Sequence, residues 1–169
     1  MIFSRLNSVI TKIAGAISIL MLIFLALALF TGVVTRYVFS YSIPELEVLR
    51  KFSIMWLVFM GSAVAVKEKL HLKIDIFTDY LSDNMIKIKN IIVYMLVLFS
   101  IIILVFVGVA AFEAGLNRTE LVSIRFLSSP PSLIYYYSAF LVGSCFMLYF
   151  HLMHAKEYGS SLYRVGILL

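Results

Sequence analysis

The sequence predicts an all-α integral membrane protein with four transmembrane helices, both termini in the cytoplasm, and a short amphipathic cytoplasmic helix between the second and third spans. Three observations carry this expectation. The 169-residue chain is 63% hydrophobic and only 14% charged, far more apolar and far less charged than soluble domains. Three uncharged runs are each long enough for a helix to cross a hydrocarbon core, which takes about 20 residues. A fourth, shorter run is preceded by helix-start residues that lengthen it.

The first run, Ile13 to Thr35, has 23 residues and no charge, and predicts a span over 13–35. Ala26-Leu27-Ala28 resembles a signal-peptide cleavage site, but the apolar run continues beyond it, so an uncleaved helix is expected. The next run, Phe52 to Val66, has only 15 residues. Ser42 and Glu45 stand in S-x-x-E spacing, with Pro44 where a first-turn N–H is not needed. A helix over 43–66 then reaches about 36 Å at 1.5 Å per residue. Ile91 to Phe112 predicts a span over 90–112. Ser132 to Ala155, ionisable only at His151 and His154 near its end, predicts one over 132–154. Between the second and third spans, Leu70, Ile74, Phe77, Leu81, Met85 and Ile88 fall on one helical face. A lone strand would have no partner there, so the segment 70–88 is expected to lie as an amphipathic helix on the membrane surface.

Orientation follows from the basic residues. Nine lysines and arginines lie at the termini and in the segment 67–90, against five in the other two connections. The side richer in cations is expected to be cytoplasmic. The net charge of +5 is thus a topology signal, and no nucleic-acid partner is expected. Tyr135-Tyr136-Tyr137 would begin the fourth helix in the outer aromatic belt. The single cysteine, Cys145, lies inside an apolar run and offers neither a disulfide nor a metal cluster.

The outward connection RYVFSYSIPELEVLRKFSIMW gathers opposite charges. On the second helix Glu47 is three residues from Arg50 and four from Lys51, spacings that bring side chains together with the acid in the favourable N-terminal position. Arg36, at the end of the first helix, is near enough in sequence to join them. The bland expectation is a clamp on the first helical hairpin; the functional one is a charged platform for a partner. Trp56 lies about 14 Å of helix rise below Glu47. Its indole N–H needs an acceptor, which a neighbouring helix could supply.

Ion relays and coupling-ion sites use ionisable groups or broken helices at mid-membrane depth. These runs have no such Asp, Glu, Lys or Arg and no mid-depth proline. No loop is large enough for a catalytic domain, and Gly-rich phosphate loops, Ser-His-Asp patterns and CxxC motifs are absent. No enzyme activity and no cofactor are expected. His151 has no histidine at matching depth on another helix, so interfacial polar contacts are expected of it rather than haem ligation. What the helices offer is packing. Ala28/Gly32, Gly61/Ala65, Ala111/Gly115 and Ala139/Gly143 are small-xxx-small pairs that let helices approach closely in lipid. They could pack within this chain or dock it onto a larger membrane protein.

The series Arg36-Tyr37-x-Phe39, then Glu47, Trp56, Gly61-Ser62-Ala63 and His71 resembles the small membrane subunit, the DctQ-like family, of tripartite ATP-independent periplasmic (TRAP) transporters. Glu45 and Val48 depart from that pattern, where a tryptophan and a second acid often stand. The motif covers residues 36–71, and the four-span layout extends the resemblance along the chain. It implies a location in the bacterial inner membrane. It also implies a scaffold role beside a large multi-spanning transporter subunit, with a periplasmic substrate-binding protein and membrane lipid as further partners. Transport would be sodium-driven uptake of an organic acid, sialic acid or a C4-dicarboxylate. Arg36, Tyr37, Glu47, Arg50, Lys51, Trp56, Gly61 and His71 are then the expected partner and scaffold contacts. The alternatives are a membrane anchor subunit of a respiratory complex and a self-sufficient small transporter.

Overall fold

Each uncharged run becomes a long helix, because in lipid a helix is the one local structure that satisfies every backbone N–H and C=O within its own segment. The computed structural model describes residues 2–68, 83–122, 124 and 129–166. Its helices are α1 (Ile2–Tyr37), α2 (Glu45–Lys67), α3 (Asp83–Leu116) and α4 (Ile134–Gly166). All four are long and apolar enough to cross a membrane, over Asn7–Tyr37, Glu45–Lys67, Ile88–Leu116 and Ile134–His154. The start of α1, the end of α2, the start of α3 and the end of α4 share one end of the molecule, called here the termini end. The α1–α2 turn and the α3–α4 loop form the other, the loop end.

Two boundaries differ from expectation. α2 begins at Glu45 with Pro44 as its N-cap, and no side chain caps it. Ser42 does not form the expected capping box because the turn's own carbonyls take the first N–H groups. Leu46 N–H donates to the Ile43 carbonyl at 3.2 Å and Glu47 N–H to that of Pro44 at 3.0 Å. The turn is closed from the other side by Tyr41 N–H, which reaches back to the Thr35 carbonyl at 3.0 Å. Ser40 takes φ 51° to allow this, a left-handed conformation that costs a non-glycine residue about 1–2 kcal/mol. The second difference concerns the segment 70–88. Its last six residues, 83–88, are the first turns of α3 rather than a separate surface helix. The remainder, 70–82, lies outside the described residues.

The main contacts run α1 to α2, α2 to α4 and α4 to α3. The packing order is therefore α1, α2, α4, α3, with the last helix in sequence placed between the second and third. The inner pair approaches closely at Gly143 of α4, where an added Cβ would stand 2.5 Å from Phe59 Cβ and 2.9 Å from the Phe59 carbonyl oxygen. The stacked rings of Phe59 and Phe140, 4.5 Å apart, extend this contact. On the α3 side, a Cβ on Gly115 would meet the Tyr137 ring at 2.7 Å and the Ile134 nitrogen at 3.1 Å. Helices associate in lipid through such packing, since lipid tails are as apolar as leucine. Ala63, Val66, Ile101, Met147 and Phe150 form the buried cluster, flanked by Ile10, Phe59 and Val97.

Polar ties cross between α4 and its neighbours. Trp56 Nε1 donates to the Tyr135 carbonyl at 3.2 Å, so α4 supplies the acceptor that the indole requires. His151 is buried and stacks on Tyr94 of α3 at 4.3 Å. Its Nε2 lies 3.2 Å from the Tyr94 carbonyl. His154 Nε2 lies 2.9 Å from the carbonyl of Lys67, the last residue of α2. A carbonyl only accepts, so Nε2 carries the hydrogen in both rings. Trp56→Phe keeps the ring and removes the donor. Unfolding of the purified chain in mixed micelles is expected to register a loss of about 0.6–1.5 kcal/mol, the range of interhelical hydrogen bonds in bilayers; no change would mean the bond contributes nothing.

Candidate functional site

The charged and aromatic groups singled out in the sequence collect at the loop end. Lys51, in the second turn of α2, lies 3.3 Å from Glu47 and 3.2 Å from Glu120. The first partner is its i,i+4 neighbour; the second comes from the α3–α4 loop. Glu120 is 9% exposed, so its carboxylate has given up most of its water and depends on the ammonium. Its second oxygen accepts from Leu121 N–H at 3.3 Å. The Tyr136 hydroxyl is buried close to the Glu120 carboxylate.

The loop is built to hold Glu120 there. Thr119 and Ser132 pair in a single antiparallel bridge. Glu120 N–H donates to the Pro131 carbonyl at 2.9 Å and Leu133 N–H to that of Arg118 at 3.0 Å. Ser132 Oγ donates to the Gly115 carbonyl at 3.0 Å, at the end of α3, where that carbonyl also accepts a longer bond, 3.4 Å, from Arg118 N–H. Ser132 Oγ also accepts the Ile134 N–H at 3.3 Å, in the first turn of α4. One serine thus joins the end of one span to the start of the next. Immediately beyond the bridge, Leu121 is 99% exposed.

The clamp differs from the one the sequence suggested. Arg36 is exposed at the end of α1 and has no ion pair among the described residues. Arg50 turns back on its own helix, with Nε 3.4 Å from the Leu46 carbonyl, and does not pair with Glu47. The reason is rotational. Leu46 carries the α1 contact, since its Cδ1 would lie 3.7 Å from a Cβ on Gly32. Glu47 and Lys51 stand about 100° and about 140° round the helix from Leu46. They face the α3–α4 loop, and the charges tie α2 to the second hairpin rather than to α1.

Tyr37 is exposed beside Arg36, and Tyr41 is exposed in the turn. Gly61 has nothing within 4 Å of an added Cβ; the Gly61/Ala65 pair gives Gly61 no close neighbour in this chain. His71 lies outside the described residues. Of the residues singled out, the structure brings together Glu47 and Lys51, and leaves Arg36, Tyr37 and Gly61 on open surface. Sequence reasoning missed Glu120, Ser132 and the Tyr135 carbonyl. Glu120 had a weak signal: it is an acid two residues from Arg118 in the connection between the third and fourth spans, on the side of the membrane where Lys51 needs a partner.

Among the described residues no group of three or more His, Cys, Asp or Glu is placed to hold a metal ion. The described part of the loop end is a charged, partly aromatic surface standing on apolar helices. Such a surface can recognise a macromolecule by charge and shape. Compared with protein-family models, residues 25–157 match the one described as tripartite ATP-independent periplasmic transporters, DctQ component. No curated protein matches the chain significantly.

Proposed function

The chain belongs to the DctQ family, the small subunit of tripartite ATP-independent periplasmic transporters, and from that membership we propose that it braces a large multi-spanning subunit during sodium-driven import of an organic acid. The observation that carries this reading is the family match over residues 25–157, joined to spans that have no Asp, Glu, Lys or Arg at mid-depth. Helices of that kind cannot coordinate a coupling ion or an acid substrate themselves. They suit a part that stays still and enlarges the fixed body of the machine. The substrate class is sialic acid or a C4-dicarboxylate.

The protein resides in the bacterial inner membrane with the loop end toward the periplasm. The distribution of cations supports this: nine of the fourteen lysines and arginines belong to the terminal segments and the segment 67–90 of the sequence. The loop end then helps to receive the soluble substrate-binding protein. Arg36, Tyr37, Glu47, Arg50 and Lys51 offer it charge and aromatic surface, with Leu121 beside them as an apolar contact. Gly61, open on α2, is a place for close approach by a helix of the large subunit.

Two measurements test this. A tagged copy extracted from membranes is expected to co-purify with one large hydrophobic subunit in fixed ratio. Exchanging Glu47, Arg50 and Lys51 together for alanine is expected to leave that assembly intact. It should cut substrate uptake about tenfold or more, as loss of an electrostatic docking contact does through slower association. Unchanged uptake would remove the platform from the proposal, and accumulation by the chain alone in liposomes would remove the scaffold role.

A further inference from the structure

The α1–α2 turn stands higher than the rest of the loop end, and the helix packing says by how much. Gly108 of α3 faces Leu141 of α4, and Gly143 of α4 faces Phe59 of α2. α2 and α4 run away from the loop end and α3 runs toward it. Counted along the helices, Glu113 of α3 therefore lies level with Phe52 of α2, beside Lys51. Glu120 joins the same layer through its 3.2 Å contact with Lys51. Glu113 is exposed, and a carboxylate facing hydrocarbon is too costly to keep, so the hydrocarbon core ends at or before this charged layer. On the other side of α2, Gly32 of α1 faces Leu46. Leu46 is five residues outward from Lys51, and Arg36 is four residues outward from Gly32. Those rises place Arg36 about 13 Å outside the layer. Headgroups extend the membrane by only about 5–8 Å per leaflet. Residues 36–41 thus project past the headgroups into water.

What they project is apolar. Val38 and Phe39 are each 69% exposed, and Tyr37 and Tyr41 are more than half exposed. Apolar side chains grouped on a surface mark a contact with protein or membrane, and the height of this tip leaves protein. The tip is also preformed. Val38 N–H donates to the Val34 carbonyl at 2.9 Å and Tyr41 N–H to that of Thr35 at 3.0 Å, with Ser40 left-handed between them at φ 51°. A segment held in this way has little backbone freedom left to lose on binding. Arg36 at its base has no ion pair among the described residues, and a free guanidinium beside an apolar anchor matches a carboxylate. Glu47 and Lys51 already hold each other.

We propose that Val38, Phe39 and Tyr41 form an apolar finger that enters a cleft on the soluble substrate-binding protein, where a carboxylate at the rim meets Arg36. This rests on the docking role of the loop end. The test titrates the purified binding protein onto the chain and its large subunit, held together in nanodiscs. Phe39→Ser is expected to weaken association about tenfold or more. Arg36→Glu should weaken it and flatten its dependence on salt. Both substitutions lie on exposed surface, so the helices should fold in each variant. A second measurement reads the tip directly. Phe39→Cys, with Cys145→Ser, should react with a membrane-impermeant charged maleimide and become protected once the binding protein is bound. No reaction before the binding protein is added would mean that lipid or a second copy covers the tip, and would overturn the proposal. Binding that is strong but indifferent to both substitutions would leave the docking role standing and remove the finger. No binding by the wild-type complex would remove both.

Discussion

Replacing Gly143 with valine is expected to separate α2 from α4 and to destabilise the chain by about 1–3 kcal/mol, the cost of overpacking a filled interface. The upper end of that range is expected because of what stands in the way. A Cβ at this position would meet Phe59 Cβ at 2.5 Å and the Phe59 carbonyl oxygen at 2.9 Å. Neither atom can swing aside as the tip of a flexible side chain could. Room would come only from moving one helix away from the other. That would also part the Phe59–Phe140 stack and strain the Trp56 bond to Tyr135. The paired control is Gly61→Val. An added Cβ there finds nothing within 4 Å, so the isolated chain should change by no more than about 0.5 kcal/mol. Co-purification with the large subunit should nevertheless fall if a partner helix packs at Gly61. Unfolding of both variants in mixed micelles reads the difference. Equal stability of the two would mean that the α2–α4 approach is looser than described.

The contrast between these two glycines marks the limit of what the sequence could reveal. Both stand in small-xxx-small pairs of the same form, and nothing local distinguishes them. Only the packing order, with α4 lodged between α2 and α3, gives Gly143 a neighbour and leaves Gly61 without one. The spans themselves were legible because lipid demands long uncharged runs and tolerates few exceptions. The length of α2 was nearly recovered from Ser42, Pro44 and Glu45, yet the capping role assigned to Ser42 was not. Backbone carbonyls of the turn did that work, and a backbone carbonyl has no signature in sequence. The same holds for Trp56: its need for an acceptor was evident, but the acceptor is the main chain of Tyr135. Glu47 and Lys51 could be paired by helical spacing. Glu120 could not, because it is 69 residues away from Lys51 and is brought back by a loop whose closure at Thr119 and Ser132 follows no periodic pattern.

That loop yields the second large effect. Glu120→Lys is expected to detach the α3–α4 loop from α2 while leaving the four helices in place. The substitution removes the buried carboxylate and sets a cation against Lys51, which already has Glu47 as a partner at 3.3 Å. Lys51 can therefore settle on Glu47, whereas the new lysine has no carboxylate among its present contacts. The backbone bonds that close the loop, Glu120 N–H to Pro131 and Leu133 N–H to Arg118, should then open more often. Hydrogen exchange at these two amides is expected to speed up about tenfold or more. Amides within α2 and α4 should keep their protection. Reversing the pair, with Lys51→Glu added to Glu120→Lys, restores opposite charges across the contact and should recover part of the protection. Glu47 would then face a second acid one turn along α2, and that repulsion limits the recovery. Lys51→Met with Glu120 intact should be worse for the loop than Glu47→Gln, because it strands the desolvated carboxylate, whereas the exposed Glu47 can be solvated or replaced at little cost. If the single reversal leaves exchange at Glu120 and Leu133 unchanged, the loop is held by Ser132 and its bridge alone, and the ion pair is incidental to its shape.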